Sequence, residues 1–219
     1  MTVHMLREID KLKKMILSLA TLVEESVQQA VLALQKRDAE LARKVVAMGD
    51  EVNELEVDLE EECLKILALY QPVAVDLRYI VAVLKINNDL ERINDLAGNL
   101  AERALTLIDD APVEAPFDVR TMGEIVQSML KKTLDALVNM DQEKALSVID
   151  LDDGVDRYHR ESFAKTKERI RQNPDELDSL INYLSISRYL ERIADLTTNV
   201  AEDVVYMIEG KIIRHHNTA

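Results

Sequence analysis

The sequence has little of what disulfide-bonded, zinc-binding and nucleotide-hydrolysing proteins depend on. Its single cysteine, Cys63, permits no internal disulfide, which suits a reducing compartment, and a lone thiol of this kind reads as a small buried hydrophobe. The histidines are His4, His159, His215 and His216, which beside one cysteine excludes a zinc site of His and Cys. Five glycines form no phosphate-cradling loop, and no grouping of Ser, His and Asp suggests nucleophilic catalysis. Basic residues are in deficit. The 27 Lys and Arg stand against 41 Asp and Glu, a formal charge of −14 that repels phosphate backbones and anionic lipid and argues against direct nucleic-acid binding. No uncharged run approaches the ~20 residues that span a bilayer. The one segment resembling a signal sequence, KLKKMILSLATLV at residues 11–23, runs directly into Glu24 and Glu25. Its apolar spacing continues through Val27, Ala30, Val31 and Leu34, so it reads as a first helix. The expectation is a soluble, cytoplasmic chain that meets a membrane only through a partner.

What is present is a helical alphabet. The composition is 47% hydrophobic but only 4% aromatic, with Leu, Ala, Val, Glu, Asp and Lys the common letters and only four prolines. Apolar periodicity and punctuation predict six helices, at 5–36, 39–70, 76–107, 118–140, 142–172 and 175–209. Asp38 and Asp141 stand where N-caps belong, Pro72 and Asn173-Pro174 interrupt, Asp76 is placed to cap the third helix, with Arg78 exposed in its first turn, and Gly210 to end the sixth. The stretch DDAPVEAPFD, with Pro112 and Pro116, is the only one that reads as a linker.

The second half restates the first. LERINDLAGNLAE at 90–102 returns as LERIADLTTNVAE at 190–202, nine of thirteen positions identical at an offset of 100. Asp38 aligns with Asp141, Asp50 with Asp153 and Asn53 with Asp156 at an offset of 103, as do Val23 with Val126 and Ala33 with Ala136. Short connections between long helices force antiparallel neighbours. The reading is an all-α fold of two tandem three-helix bundles related by an internal pseudo-twofold repeat, residues 1–110 and 117–211 joined by a linker at 111–116.

On a helical wheel Leu90, Ile93, Leu96, Ala97 and Leu100 share one face, while Glu91, Asp95, Asn99 and Glu102 fall on the opposite side. Glu191, Asp195, Asn199 and Glu202 do the same in the second copy. A stripe of acid on a helix is usually a solvated face. Here Asp95 and Asp195 stand four residues after Glu91 and Glu191, where a basic residue would stabilise and a like charge costs about 0.2–0.5 kcal/mol. Packing explains why apolar letters recur; it does not explain recurring acid. Clustered oxygen donors with no His or Cys expected near them suit a hard cation: magnesium, calcium, manganese or ferric iron. The preceding helix offers further ligands, Asp50 with Asn53 and Glu54 in the first half and Asp153 with Asp156 in the second. One site per half is expected, with a polar contact surface for a protein as the alternative.

Two three-helix units, each with Glu-x-x-x-Asp in its third helix (Glu91 to Asp95, Glu191 to Asp195), and QPVAVDLR at 71–78 ahead of the first, resemble the PhoU family of phosphate-transport regulators over essentially the whole chain. The resemblance implies a cytoplasmic, often homodimeric protein that carries metal, iron among the candidates, on its acidic motifs. It further implies a negative regulator through which a phosphate ABC transporter, by way of its ATPase, restrains a sensor histidine kinase. Where the family often has Gly before the motif's Asp, this chain has Asn94 and Ala194. A carboxylate di-iron enzyme would need Glu-x-x-His repeated in the bundle core, and only Asp156-x-x-His159 approximates that, once; His159 reads as a surface side chain. A metal-free helical adaptor for another transporter is the nearer rival. The expectation is therefore a non-enzymatic regulator.

Overall fold

The computed structural model describes residues 3–213; His215 and His216 lie outside them. Six α-helices follow one another: α1 (Val3–Lys36), α2 (Ala39–Tyr70), α3 (Ala74–Asp109), α4 (Val119–Asn139), α5 (Gln142–Gln172) and α6 (Leu177–Glu209). A 3₁₀ turn, Pro174–Glu176, precedes α6. Among the described residues there is no strand.

The aspartates at three of the helix starts do what their short acceptor side chains suit them for. Asp38 and Asp141 accept from the amides of Leu41 and Lys144, each at 3.0 Å, and Asp118 accepts from the amide and hydroxyl of Thr121. Gly210 closes α6 at φ +75, the left-handed region that glycine enters without penalty. Two expectations need correction. Asp76 is no cap: α3 begins at Ala74, its N-cap is the extended Val73 with no side-chain bond, and Asp76 sits inside the first turn, donating its own amide to the Val73 carbonyl. Arg78, expected to be exposed, is half-buried, with Nε 3.2 Å from the Met207 carbonyl and Nη2 3.5 Å from that of Ile208. A guanidinium there satisfies the carbonyls that the end of α6 leaves open.

Within each half all three helices touch one another, α1 with α2 and α3, and α4 with α5 and α6. Between halves α1 meets α4 and α3 meets α6, equivalent against equivalent, as a twofold relation requires. The close approach of α1 to α4 depends on Gly123, where an added Cβ would come within 2.7 Å of Val31. Leu90, Ile93, Ala97 and Leu100 and their counterparts Leu190, Ile193 and Val200 are buried, so the repeated apolar letters are the core of the two halves and of the seam between them. That packing fixes α3 and α6 in rotation, and it turns their acidic stripes toward α2 and α5.

Candidate metal centre

In the second half α5 and α6 run side by side and bring their acidic faces together. One carboxylate oxygen each from Asp156, Glu191 and Asp195 lies within 4.8 Å of the other two, the one such grouping of Asp, Glu, His or Cys among the described residues. Asp156 and Glu191 are half-buried and Asp195 is exposed, so the cluster opens to solvent at one side. Oxygens at this spacing can close on one cation with bonds of about 2.0–2.6 Å after small side-chain adjustments.

Electrostatics agree with the geometry. Burial pushes the Glu191 and Asp195 carboxyls above the usual carboxylate range, and the negative charge of Asp156 adds to both shifts, with Asp195 adding to that of Glu191. A fourth carboxylate belongs beside them. Asp152, one turn before Asp156, is pushed up to about 6 by burial and by Asp195, Asp156, Asp153 and Glu191, and its Oδ1 has no hydrogen-bond partner. Four acids held against one another cost stability, and a cation would relieve that cost.

His159 also lies here. Its Nδ1 is 2.9 Å from the hydroxyl of Ser187, and burial moves its pKa down despite the charges of Asp156 and Asp195, which favours the neutral ring. The surface placement expected for it is therefore only half right: it is half-buried at the edge of the cluster. The equivalent residue of the first half is Glu56, and Glu56 accepts a hydrogen bond from Asn87, the counterpart of Ser187. The α2–α3 and α5–α6 contacts thus both carry a polar link at this position, written in different letters.

The first half holds a looser version. Glu91 is raised by burial and by Asp95 and Glu56, and Glu56 itself by burial and Glu60. Asp50, Asn53 and Glu54 lie exposed on α2, and neither Asp50 nor Glu54 joins Glu91 and Asp95 in a grouping like that of the second half. Asp153 is likewise exposed and outside the triad of Asp156, Glu191 and Asp195. Asn99 is half-buried and lines, with Gly49, Asn94, Asp95, Gly98 and Glu102, a cleft of about 240 Å³; Asn199 is half-buried on α6. Asn94 and Ala194, which stand where the resembled family often has glycine, are both buried, and the Asn94 Oδ1 has no partner. The sequence reading missed Glu56, Asp152 and His159. The spacing could have found them, because Asp152 is four residues before Asp156, while Glu56 and His159 lie three residues after Asn53 and Asp156.

The site sits in a groove on the flank of a helical bundle, not in its core. Fold and site together define a duplicated, all-helical, cation-compatible scaffold. The PhoU domain model matches this chain twice, over residues 16–104 and 119–204. A phosphate-specific transport system accessory protein PhoU homolog of Aquifex aeolicus is 35% identical over 211 residues, covering 96% of each chain, and one of Pseudomonas aeruginosa is 37% identical over 95% of this chain and 86% of its own. The crystal structure of PhoU from Pseudomonas aeruginosa superposes with a TM-score of 0.90 at 36% identity, covering 94% of this chain and 99% of that one. The phosphate transport system regulatory protein PhoU from Streptococcus pneumoniae does so at 0.83 and 30%, covering 95% and 99%. The chain belongs to the PhoU family, whose members named here are accessory and regulatory proteins, not enzymes.

Proposed function

We propose that this protein is a cytoplasmic negative regulator of phosphate uptake and of the phosphate-starvation response, a metal-binding adaptor between the phosphate ABC transporter ATPase and its sensor histidine kinase. Each unit, 1–110 and 117–211 with 111–116 between them, carries one site. Asp156, Glu191 and Asp195 hold the cation of the second, with Asp153 and Asn199 at its margin; Glu91 and Asp95 hold that of the first, with Asp50, Asn53, Glu54 and Asn99 around them. The observation that carries the metal reading is the convergence of three carboxylates, with a fourth left unpaired beside them, in a family of transport regulators. Iron, manganese, magnesium and calcium all suit such a donor set. No helix of the described residues is long and apolar enough to cross a membrane, so the route to the transporter runs through protein contact. The family resemblance also leads us to propose a homodimer.

Deleting the gene should derepress a phosphate-starvation reporter in phosphate-replete cells, and the wild-type gene should restore repression. An unresponsive reporter would overturn the regulatory assignment. Protein purified without chelator or affinity tag should carry metal that E191A/D195A loses while helicity is retained. Metal-free wild-type protein would leave the metal-free adaptor as the reading.

A further inference from the structure

We propose that the cleft between α2 and α3 in the first half binds a linear aliphatic diamine, a methylene chain with an ammonium at each end. The two halves share a fold, so each shows what the fold alone demands of the other. At the offsets of the repeat, Gly49 of α2 stands against Asp152, Gly98 of α3 against Thr198, and Asn94 of α3 against Ala194. In the first half two of these differences withdraw a side chain and the third adds a carboxamide, and all three residues line one cleft of about 240 Å³.

Packing does not account for the two glycines. A Cβ added at Gly49 or Gly98 would meet nothing within 4 Å, although glycine inside a helix is less stable than alanine. Nor does packing account for Asn94, which is 2% exposed and whose Oδ1 has no hydrogen-bond partner. A buried acceptor left unmet is costly, and a ligand that brings N–H into the cleft meets it.

The lining selects the ligand. Beside Asn94 it carries Asp95, Asn99 and Glu102 and no Lys or Arg, so it draws a cation. Among the described residues the side chains of Asn99 and Glu102 have no hydrogen bond or ion pair. Asp95 and Glu102 are seven residues apart on one helix, about 10 Å along its axis, and both side chains lean toward its N-terminus, which largely keeps the spacing. Two ligands of one metal ion lie within roughly 5 Å of each other at bonds of about 2.0–2.6 Å, so a single ion does not join these two. A diamine does: one ammonium reaches Asp95 and Asn94, the other Glu102, and the methylenes pass over the glycines beside the exposed Val46. A lysine from another protein brings one ammonium and leaves one of the carboxylates unmet. The inference goes beyond the regulatory reading and does not depend on it, but Asp95 is shared with the cation position proposed at Glu91, so binding is measured in chelator.

The test is an NMR titration of the isotope-labelled full chain with putrescine, and with n-butylamine as the one-ended control. Putrescine should shift the Gly49 and Gly98 amides saturably, with a dissociation constant roughly tenfold below that of n-butylamine. The exposed acids Asp58, Glu60 and Glu61 report general attraction to a chain of charge −14 and should not saturate. E102Q should erase the advantage of putrescine, N94A should weaken it roughly fivefold, and G98L should abolish saturation by filling the cleft. Glu102 is exposed, Gly98 faces open space, and alanine already stands at the counterpart of Asn94, so circular dichroism of the three variants should match the parent. Equal affinity for the two amines, a response at Gly49 and Gly98 that does not saturate or matches that at 58–61, or saturable binding retained in G98L overturns the inference. So does calcium, added without chelator, that saturates the same amides and excludes putrescine.

Discussion

Replacing Glu62 with Gln should loosen the join between α1 and α2 by an amount that depends on pH. Glu62 is 6% exposed, and its carboxylate accepts from Lys11 of α1 at 2.5 Å and from Lys65 of its own helix at 2.9 Å. Lys65 reaches back to Glu8 at 3.0 Å, so the four side chains form one network across the two helices. Burial alone would push the Glu62 carboxyl up, but the hydrogen bonds of the network and the charge of Lys11 outweigh it and hold the group at about 2, against an ordinary 4.5. A depression of that size corresponds to at most roughly 3 kcal/mol at neutral pH. Lys11 and Lys65 are 54% and 44% exposed, and solvent screening reduces the usable part to about 1–2 kcal/mol. The sign follows from the direction: with the folded value below the unfolded one, the stabilisation is complete above about pH 4.5 and is lost as pH falls toward 2. E62Q should therefore melt several degrees below wild type at pH 7, at about 2–4 °C per kcal/mol for a chain of this length, and the two should converge near pH 2. Urea unfolding followed at 222 nm in chelator, at both pH values, measures it. Equal losses at the two pH values would mean that Glu62 matters only for packing, and no loss at pH 7 would refute the network altogether.

Two further perturbations address the cluster and the seam. D152N removes one of four mutually repelling carboxylates, so in chelator it should stabilise the fold by about 1–2 kcal/mol at pH 7 while shrinking the rise in melting temperature that manganese produces; a destabilised metal-free variant would contradict the crowding of charge around Asp152. R78M withdraws the guanidinium from the Met207 and Ile208 carbonyls and should cost about 1–2 kcal/mol, with faster amide exchange confined to residues 207–213. Exchange that accelerates in α1 instead would show that Arg78 supports something other than the end of α6.

The fold was largely legible because its determinants are local and repeated. Period-3.6 apolar spacing, aspartate caps at 38 and 141 and a closing glycine at 210 act over a few residues, and the duplication let each half check the other. Asp76 misled because an acid near a helix start is favourable inside the first turn as well as at the cap, and only backbone geometry separates the two. Arg78 was opaque for a different reason: its acceptors lie about 130 residues away in sequence, across a seam between halves. At the site, Glu191 and Asp195 were visible as outward acid at helical spacing. How far α5 is rotated toward α6 was not, and that rotation selects Asp156 and leaves Asp153 outside the grouping.

The divergence that changes the chemistry of the second site lies along α2 and α5. Leu90 and Leu190, or Ile93 and Ile193, stay alike because each fills space at close-packed density, where a changed volume is felt at once. At Gly49 against Asp152, Asn53 against Asp156, Glu56 against His159 and Glu60 against Phe163, along α2 and α5, the two copies have become chemically unlike. The changes are not scattered in effect. They add carboxylate and imidazole beside Glu191 and Asp195, and they exchange acid for aromatic and basic groups one turn further along. A duplicated scaffold tolerates this because α3 and α6 still pack against each other through a shared apolar core. The two flanks can then differ in chemistry while the seam that relates them stays fixed.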